Sequence, residues 1–121
     1  MKKPTVLLID DEAELVFTLA ERLVIRGIDA MAVTSAEDAL KILQERKCDV
    51  VVLDVKLPGI NGIELMKRIK KQHPKVQIIL QTGRGSVEES ERGLAEGAFD
   101  YLVKPVDIDT LISKMEQAMK A

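Results

Sequence analysis

Residues 50–54 read Val50-Val51-Val52-Leu53-Asp54: four consecutive apolar side chains, three of them β-branched, closed by a carboxylate. A continuous run of this kind, without polar alternation, is the pattern of a strand covered on both faces in a parallel sheet. Val6-Leu7-Leu8-Ile9, Val76 to Leu80 and Phe99 to Val103 read the same way, and Ala30 to Val33 is a weaker fifth run.

Between the runs the apolar residues fall at helical spacing. Val16, Phe17, Ala20, Leu23 and Val24 form one stripe, stopped by Gly27, a residue type that favours helix C-termini. Ala36, Ala39, Leu40 and Leu43 form a second, with Ser35 placed to cap it. Ile63, Met66 and Ile69 mark a third, where Asn61 and Glu64 have capping-box spacing. Ser86 and Glu89 make a capping box for a short fourth helix, anchored by little beyond Val87 and Leu94. Ile108, Leu111, Ile112, Met115 and Met119 define the last. The strict order (βα)5, with helix-length crossovers, predicts an α/β fold: a doubly wound five-stranded parallel sheet of flavodoxin-like order 2-1-3-4-5.

The 121 residues suit one domain over 1–121, long enough to bury a core. With 46% hydrophobic and 31% charged residues, the chain has the composition of a folded soluble protein. Eighteen Lys and Arg interleave with twenty Asp and Glu for a net charge of −2, which gives no basis for nonspecific nucleic-acid or membrane binding. Cys48 is the single cysteine, so an internal disulfide and a cysteine metal cluster are excluded, and a packed thiol is expected. The N-terminal stretch Met1-Lys2-Lys3-Pro4 leads into an apolar run that breaks at Asp10-Asp11-Glu12, too soon for a signal peptide. No stretch has the length of a membrane span, and a cytoplasmic location is expected.

Ligands of an open parallel sheet bind beyond the carboxyl ends of the strands, at the switch point. Those ends read Asp10-Asp11-Glu12, Asp54, Gln81-Thr82-Gly83 and Lys104-Pro105. Clustered carboxylates repel one another unless a cation balances them, and oxygen ligands with retained waters suit Mg²⁺. A carboxylate can also accept a phosphoryl group as an aspartyl phosphate. That chemistry depends on positioning and charge stabilisation, for which a metal ion and a lysine are natural helpers. A threonine hydroxyl can donate to a phosphoryl oxygen.

Over its whole length the chain resembles the response-regulator receiver family of two-component signalling. The matching residues are Asp10-Asp11, Asp54, the loop Leu57-Pro58-Gly59-Ile60-Asn61-Gly62, Thr82, Gly97-Ala98-Phe99-Asp100-Tyr101 and Lys104-Pro105. None is specific alone; their order and spacing together are. The resemblance implies that Asp54 is the phosphoacceptor, and that Thr82 and Lys104 contact the phosphoryl group. It implies Mg²⁺ held by Asp10, Asp11, Asp54 and the backbone carbonyl of Lys56, with Asp11 a direct ligand and Asp10 acting through water. Thr82 and Tyr101 would form the switch pair, and the Lys104–Pro105 bond would be cis. The implied partner is a sensor histidine kinase or phosphotransfer protein. The surface of helix four, strand five and helix five would serve partner docking or a receiver–receiver dimer. Gly83 stands where the family often has Ala and Gly85 follows two residues later, so the loop into helix four is permissive; Val106 replaces a frequent Phe.

Two other classes compete. An aspartate-nucleophile phosphatase would place a second Asp two residues after the first, where Lys56 stands. A pseudo-receiver scaffold would have lost an acid, Thr82 or Lys104, and none is lost. Gly83-x-Gly85 follows the fourth strand and does not continue as a dinucleotide fingerprint. His73 reads as a solvated helix end, and the Lys67-Arg68 and Lys70-Lys71 pairs as a solvated face.

Overall fold

The computed structural model describes residues 3–121; Met1 and Lys2, the start of the stretch weighed as a signal peptide, lie outside them. Five strands form one sheet: β1 (Thr5–Ile9), β2 (Asp29–Val33), β3 (Val50–Asp54), β4 (Gln77–Thr82) and β5 (Asp100–Val103). Every pairing is parallel and the spatial order is β2-β1-β3-β4-β5, the 2-1-3-4-5 order expected.

Alternation along the central strands divides the core. Val6, Leu8, Val50, Val52 and Ile79 face α1 (Ala13–Ile25) and α5 (Ile108–Lys120). Leu7, Ile9, Val51, Leu53, Ile78 and Leu80 face the other way, toward α2 (Ala36–Glu45) and α3 (Gly62–Gln72). On this second face α4 (Val87–Ala95) brings Gly93 against the side chains of Leu80 and Ile63. The β1, β3 and β4 residues in these lists are at most 1% exposed, which explains their lack of polar alternation.

In α1 the buried residues are Val16, Ala20 and Leu23, whereas Phe17 and Val24 are 47% and 54% exposed. The helix lies over the edge strand β2, so the sheet covers a narrower stripe than the apolar residues span. Edge strand β5 is half-buried rather than fully covered. Ser35 caps α2 by accepting from Asp38 N–H (3.1 Å), as expected. Ser86 makes no cap hydrogen bond, because the chain enters α4 through a 3-10 turn at Arg84–Ser86. Glu89 instead accepts from Asn61 Nδ2 at 2.7 Å. Asn61 caps α3 by accepting from Ile63 N–H at 2.7 Å, one residue short of the Glu64 N–H that a capping box would use. The buried residues of α4 are Ser90 and Gly93, and Leu94 is exposed. His73 is half-buried rather than solvated, with an Nε2 that has no hydrogen-bond partner among the described residues.

A feature absent from the sequence reading follows β3. Lys56–Leu57 and Ile60–Asn61 form a small antiparallel hairpin, turned at Gly59, whose φ of +79° suits glycine. Gly62 then starts α3 so close to the preceding backbone that a Cβ there would lie 2.8 Å from the Asp54 carbonyl oxygen. This close approach seats α3 directly beside the carboxyl end of β3.

Candidate functional site

Parallel register brings the carboxyl ends of β1, β3, β4 and β5 to one rim. Ile9 pairs with Leu53, Asp54 with Gln81, and Thr82 with Val103. Residues that sequence separates by tens of positions therefore meet where the strands end.

Asp10 and Asp54 are both buried. Backbone N–H groups hold one oxygen of each: Glu12 N–H donates to Asp10 Oδ1 (3.0 Å) and Lys56 N–H to Asp54 Oδ1 (2.9 Å). The remaining oxygens accept from Lys104 Nζ, at 2.7 Å for Asp10 Oδ2 and 2.9 Å for Asp54 Oδ2. Glu12 Oε1 is a third acceptor at 3.2 Å. Burial pushes the Asp54 carboxyl above its usual range, against the hydrogen bonds from Lys104 and Lys56. For Lys104 the same desolvation opposes the charge, but the bonds to Asp10 and Asp54 outweigh it and raise the ammonium's pKa.

Ligand oxygens of Asp10, Glu12 and Asp54 all lie within 4.8 Å of one another. These are hard oxygen donors with one ammonium among them, the donor chemistry that suits a small divalent cation. The donor set fits such an ion. Glu12 joins this group although the ligand set implied by the resemblance is Asp10, Asp11, Asp54 and the Lys56 carbonyl; its place in the Asp10-Asp11-Glu12 run is the signal for it. Asp11 is exposed and stands outside the group of three.

Thr82 is completely buried, and its hydroxyl donates to the Gly83 carbonyl at 3.1 Å. Tyr101 is half-buried, with its hydroxyl 3.4 Å from Glu91 Oε1 on α4. Its ring packs on the α2–α3 side of the core. The Lys104–Pro105 peptide is cis. Among the described residues no helix is long and apolar enough to cross a membrane.

An open parallel sheet of order 2-1-3-4-5, with a carboxylate–ammonium cluster at its switch point, defines the flavodoxin-like class of α/β proteins. Within that class, the family model for the response regulator receiver domain matches residues 6–116, and the chain belongs to that family. It is 33% identical over 119 residues to the DNA-binding transcriptional regulator NtrC of Proteus hauseri, covering 98% of this chain and 25% of that protein. It is 36% identical over 120 residues to the phosphate regulon transcriptional regulatory protein PhoB of Rhizobium meliloti, covering 97% of this chain and 52% of that protein. The chain thus spans about a quarter to a half of these relatives' lengths. Among solved structures, the receiver domain of NtrX from Brucella abortus superposes with a TM-score of 0.90 at 31% identity, covering 96% of this chain and 98% of that one. A receiver domain protein from Clostridium thermocellum gives 0.90 at 32%, covering 95% and 93%. Receiver domains of two-component response regulators are signalling switches, and this chain is one of them.

Proposed function

We propose that residues 1–121 act as one receiver unit, in the cytoplasm, that accepts a phosphoryl group on Asp54 from a sensor histidine kinase or phosphotransfer protein, with Mg²⁺ bound. The observation that carries this reading is Lys104 Nζ bridging Asp54 and Asp10 at 2.9 and 2.7 Å. Oδ2 of the buried carboxylate is met by a mobile-stemmed ammonium, while Oδ1 is pinned by backbone. These contacts support Asp54 as the nucleophile, with Lys104 near enough to neutralise charge on an incoming phosphoryl oxygen.

When bound, Mg²⁺ would supply charge neutralisation between carboxylates and phosphoryl oxygens. Asp10, Asp11, Asp54 and the Lys56 carbonyl are the residues proposed to hold it, with Glu12 close by. Thr82 would leave the Gly83 carbonyl and donate to the phosphoryl oxygen, a stronger charge-assisted bond. Its loop would move inward and make room for Tyr101, which would give up Glu91. That exchange biases a two-state equilibrium. The surface of α4, β5 and α5 would then present a different face to a partner or a second receiver. Leu94 and Val103 expose apolar area on that surface.

Backbone amide shifts on adding Mg²⁺ with beryllofluoride, a phosphoryl mimic, test the reading. The largest shifts should fall on residues 82–101. In Thr82→Ala the mimic should still bind at Asp54 while the shifts in α4 shrink. Shifts concentrated on α1 and α2, with residues 82–101 silent, would contradict the mechanism.

A further inference from the structure

Glu12 occupies the N-cap position of α1, yet its side chain makes no cap hydrogen bond. Its carboxylate turns to the rim instead, where Oε1 accepts from Lys104 Nζ at 3.2 Å. The three carboxylates around that ammonium differ sharply in exposure: the Asp10 and Asp54 side chains are 4% and 9% exposed, the Glu12 side chain 61%. Glu12 is the outermost of the three.

We propose that Glu12 is a positioning residue for Lys104, holding its ammonium at the mouth of the site after a divalent cation has taken Asp10 and Asp54. The inference rests on the proposed Mg²⁺-dependent phosphorylation of Asp54. A cation bound at the two buried carboxylates would weaken their attraction for Lys104 and add a like charge beside it. The lysine stem is flexible and its ammonium strongly hydrated, so an unanchored head would spread over many rotamers. Glu12 already lies 3.2 Å from the ammonium, on the solvent side, from which a phosphodonor must approach. Anchoring there keeps the ammonium in a productive position before the phosphoryl oxygens arrive. The N-cap backbone of Glu12 is itself fixed by its N–H bond to Asp10, so the anchor and the metal-side carboxylate share one rigid turn.

Two readouts test this on the full chain at saturating Mg²⁺, in wild type, Glu12→Gln and Glu12→Asp. The first is brief acetylation of Lys104 by acetic anhydride, quantified by mass spectrometry against Lys114. The second is the rate of phosphorylation by acetyl phosphate as a function of Mg²⁺. In Glu12→Gln, Lys104 acetylation should rise and the limiting rate should fall, each by roughly two- to fivefold, the size of an exposed ion pair. The half-saturating Mg²⁺ concentration should change less than the limiting rate, and Glu12→Asp should recover part of both effects. Unchanged Lys104 reactivity in Glu12→Gln would overturn the proposal. So would a large rise in the half-saturating Mg²⁺ concentration at an unchanged limiting rate, which would make Glu12 a metal ligand. Wild type that takes up no phosphoryl group would instead overturn the reading of Asp54, and the acetylation arm would still decide the role of Glu12.

Discussion

Lys104 Nζ stands 2.7 Å from Asp10 Oδ2, across 94 residues of chain. The contact joins the last strand to the first over the top of the sheet, with Asp54 of the central strand as the ammonium's other buried partner. Removing one member of a buried pair leaves the other charge uncompensated. Lys104→Met should therefore destabilise the metal-free protein by up to about 3 kcal/mol. Mg²⁺ bound as proposed would supply the missing positive charge, so urea unfolding with the ion present should show a smaller loss. An equal loss with and without Mg²⁺ would mean that the ion does not sit among these carboxylates.

Mg²⁺ itself should raise the melting temperature, because a ligand of the native state stabilises it by mass action. The gain is about 2.7 kcal/mol at a concentration ~100-fold above the dissociation constant. Asp11→Ala should keep little of this gain. Asp11 is exposed in the structure, so its proposed ligation requires its carboxylate to swing toward the rim. Equal melting shifts in the two proteins would remove it from the metal site.

Cys48 is 5% exposed, and burial pushes its thiol pKa up, with Arg46 lowering it by less. A raised pKa means that the folded state keeps the proton longer than the unfolded chain. Stability from this group is therefore complete below the unfolded thiol value of about 8.5 and falls as pH rises from there toward the folded value. The Lys104 contribution is still intact in that window, since its unfolded value is about 10.4 and its folded value is higher. Urea unfolding between about pH 8 and 10 should show a steeper decline for wild type than for Cys48→Ala. Iodoacetamide should modify the native thiol slowly at neutral pH. Parallel declines would show that the thiol is not desolvated.

Gly62→Ala should cost about 1–3 kcal/mol, the range for forcing added volume into a packed site. The new Cβ would press on the Asp54 and Val55 backbone, which cannot yield as a side-chain tip can. Gly85→Ala is the control, because nothing lies within 4 Å of a Cβ there. Similar stabilities for the two variants would refute the close approach of α3 to the end of β3.

The sheet was legible because burial on both faces leaves little freedom: Val50 to Leu53 has to be apolar throughout, and so does Val6 to Ile9. The strand ends followed from the same runs, and with them the rim that gathers Asp10, Asp54 and Lys104. What the sequence concealed depends on neighbours distant in the chain. Phe17 and Val24 fall at helical spacing, but the edge position of α1 leaves them uncovered. Glu89 has capping-box spacing, yet its carboxylate goes to Asn61, 28 residues earlier. Glu12 closes the Asp10-Asp11-Glu12 run, but its 3.2 Å contact with Lys104, just past β5, depends on a residue 92 positions later.

Labelling reads out directly whether Asp54 is the residue phosphorylated. Incubation with Mg²⁺ and isotopically labelled acetyl phosphate should add one phosphoryl group that is stable to acid and labile to alkali, as an acyl phosphate is. Asp54→Asn keeps the shape of the site but removes the nucleophilic oxygen, so this variant should take up none. Undiminished labelling of Asp54→Asn, mapped by mass spectrometry to another residue, would contradict the account.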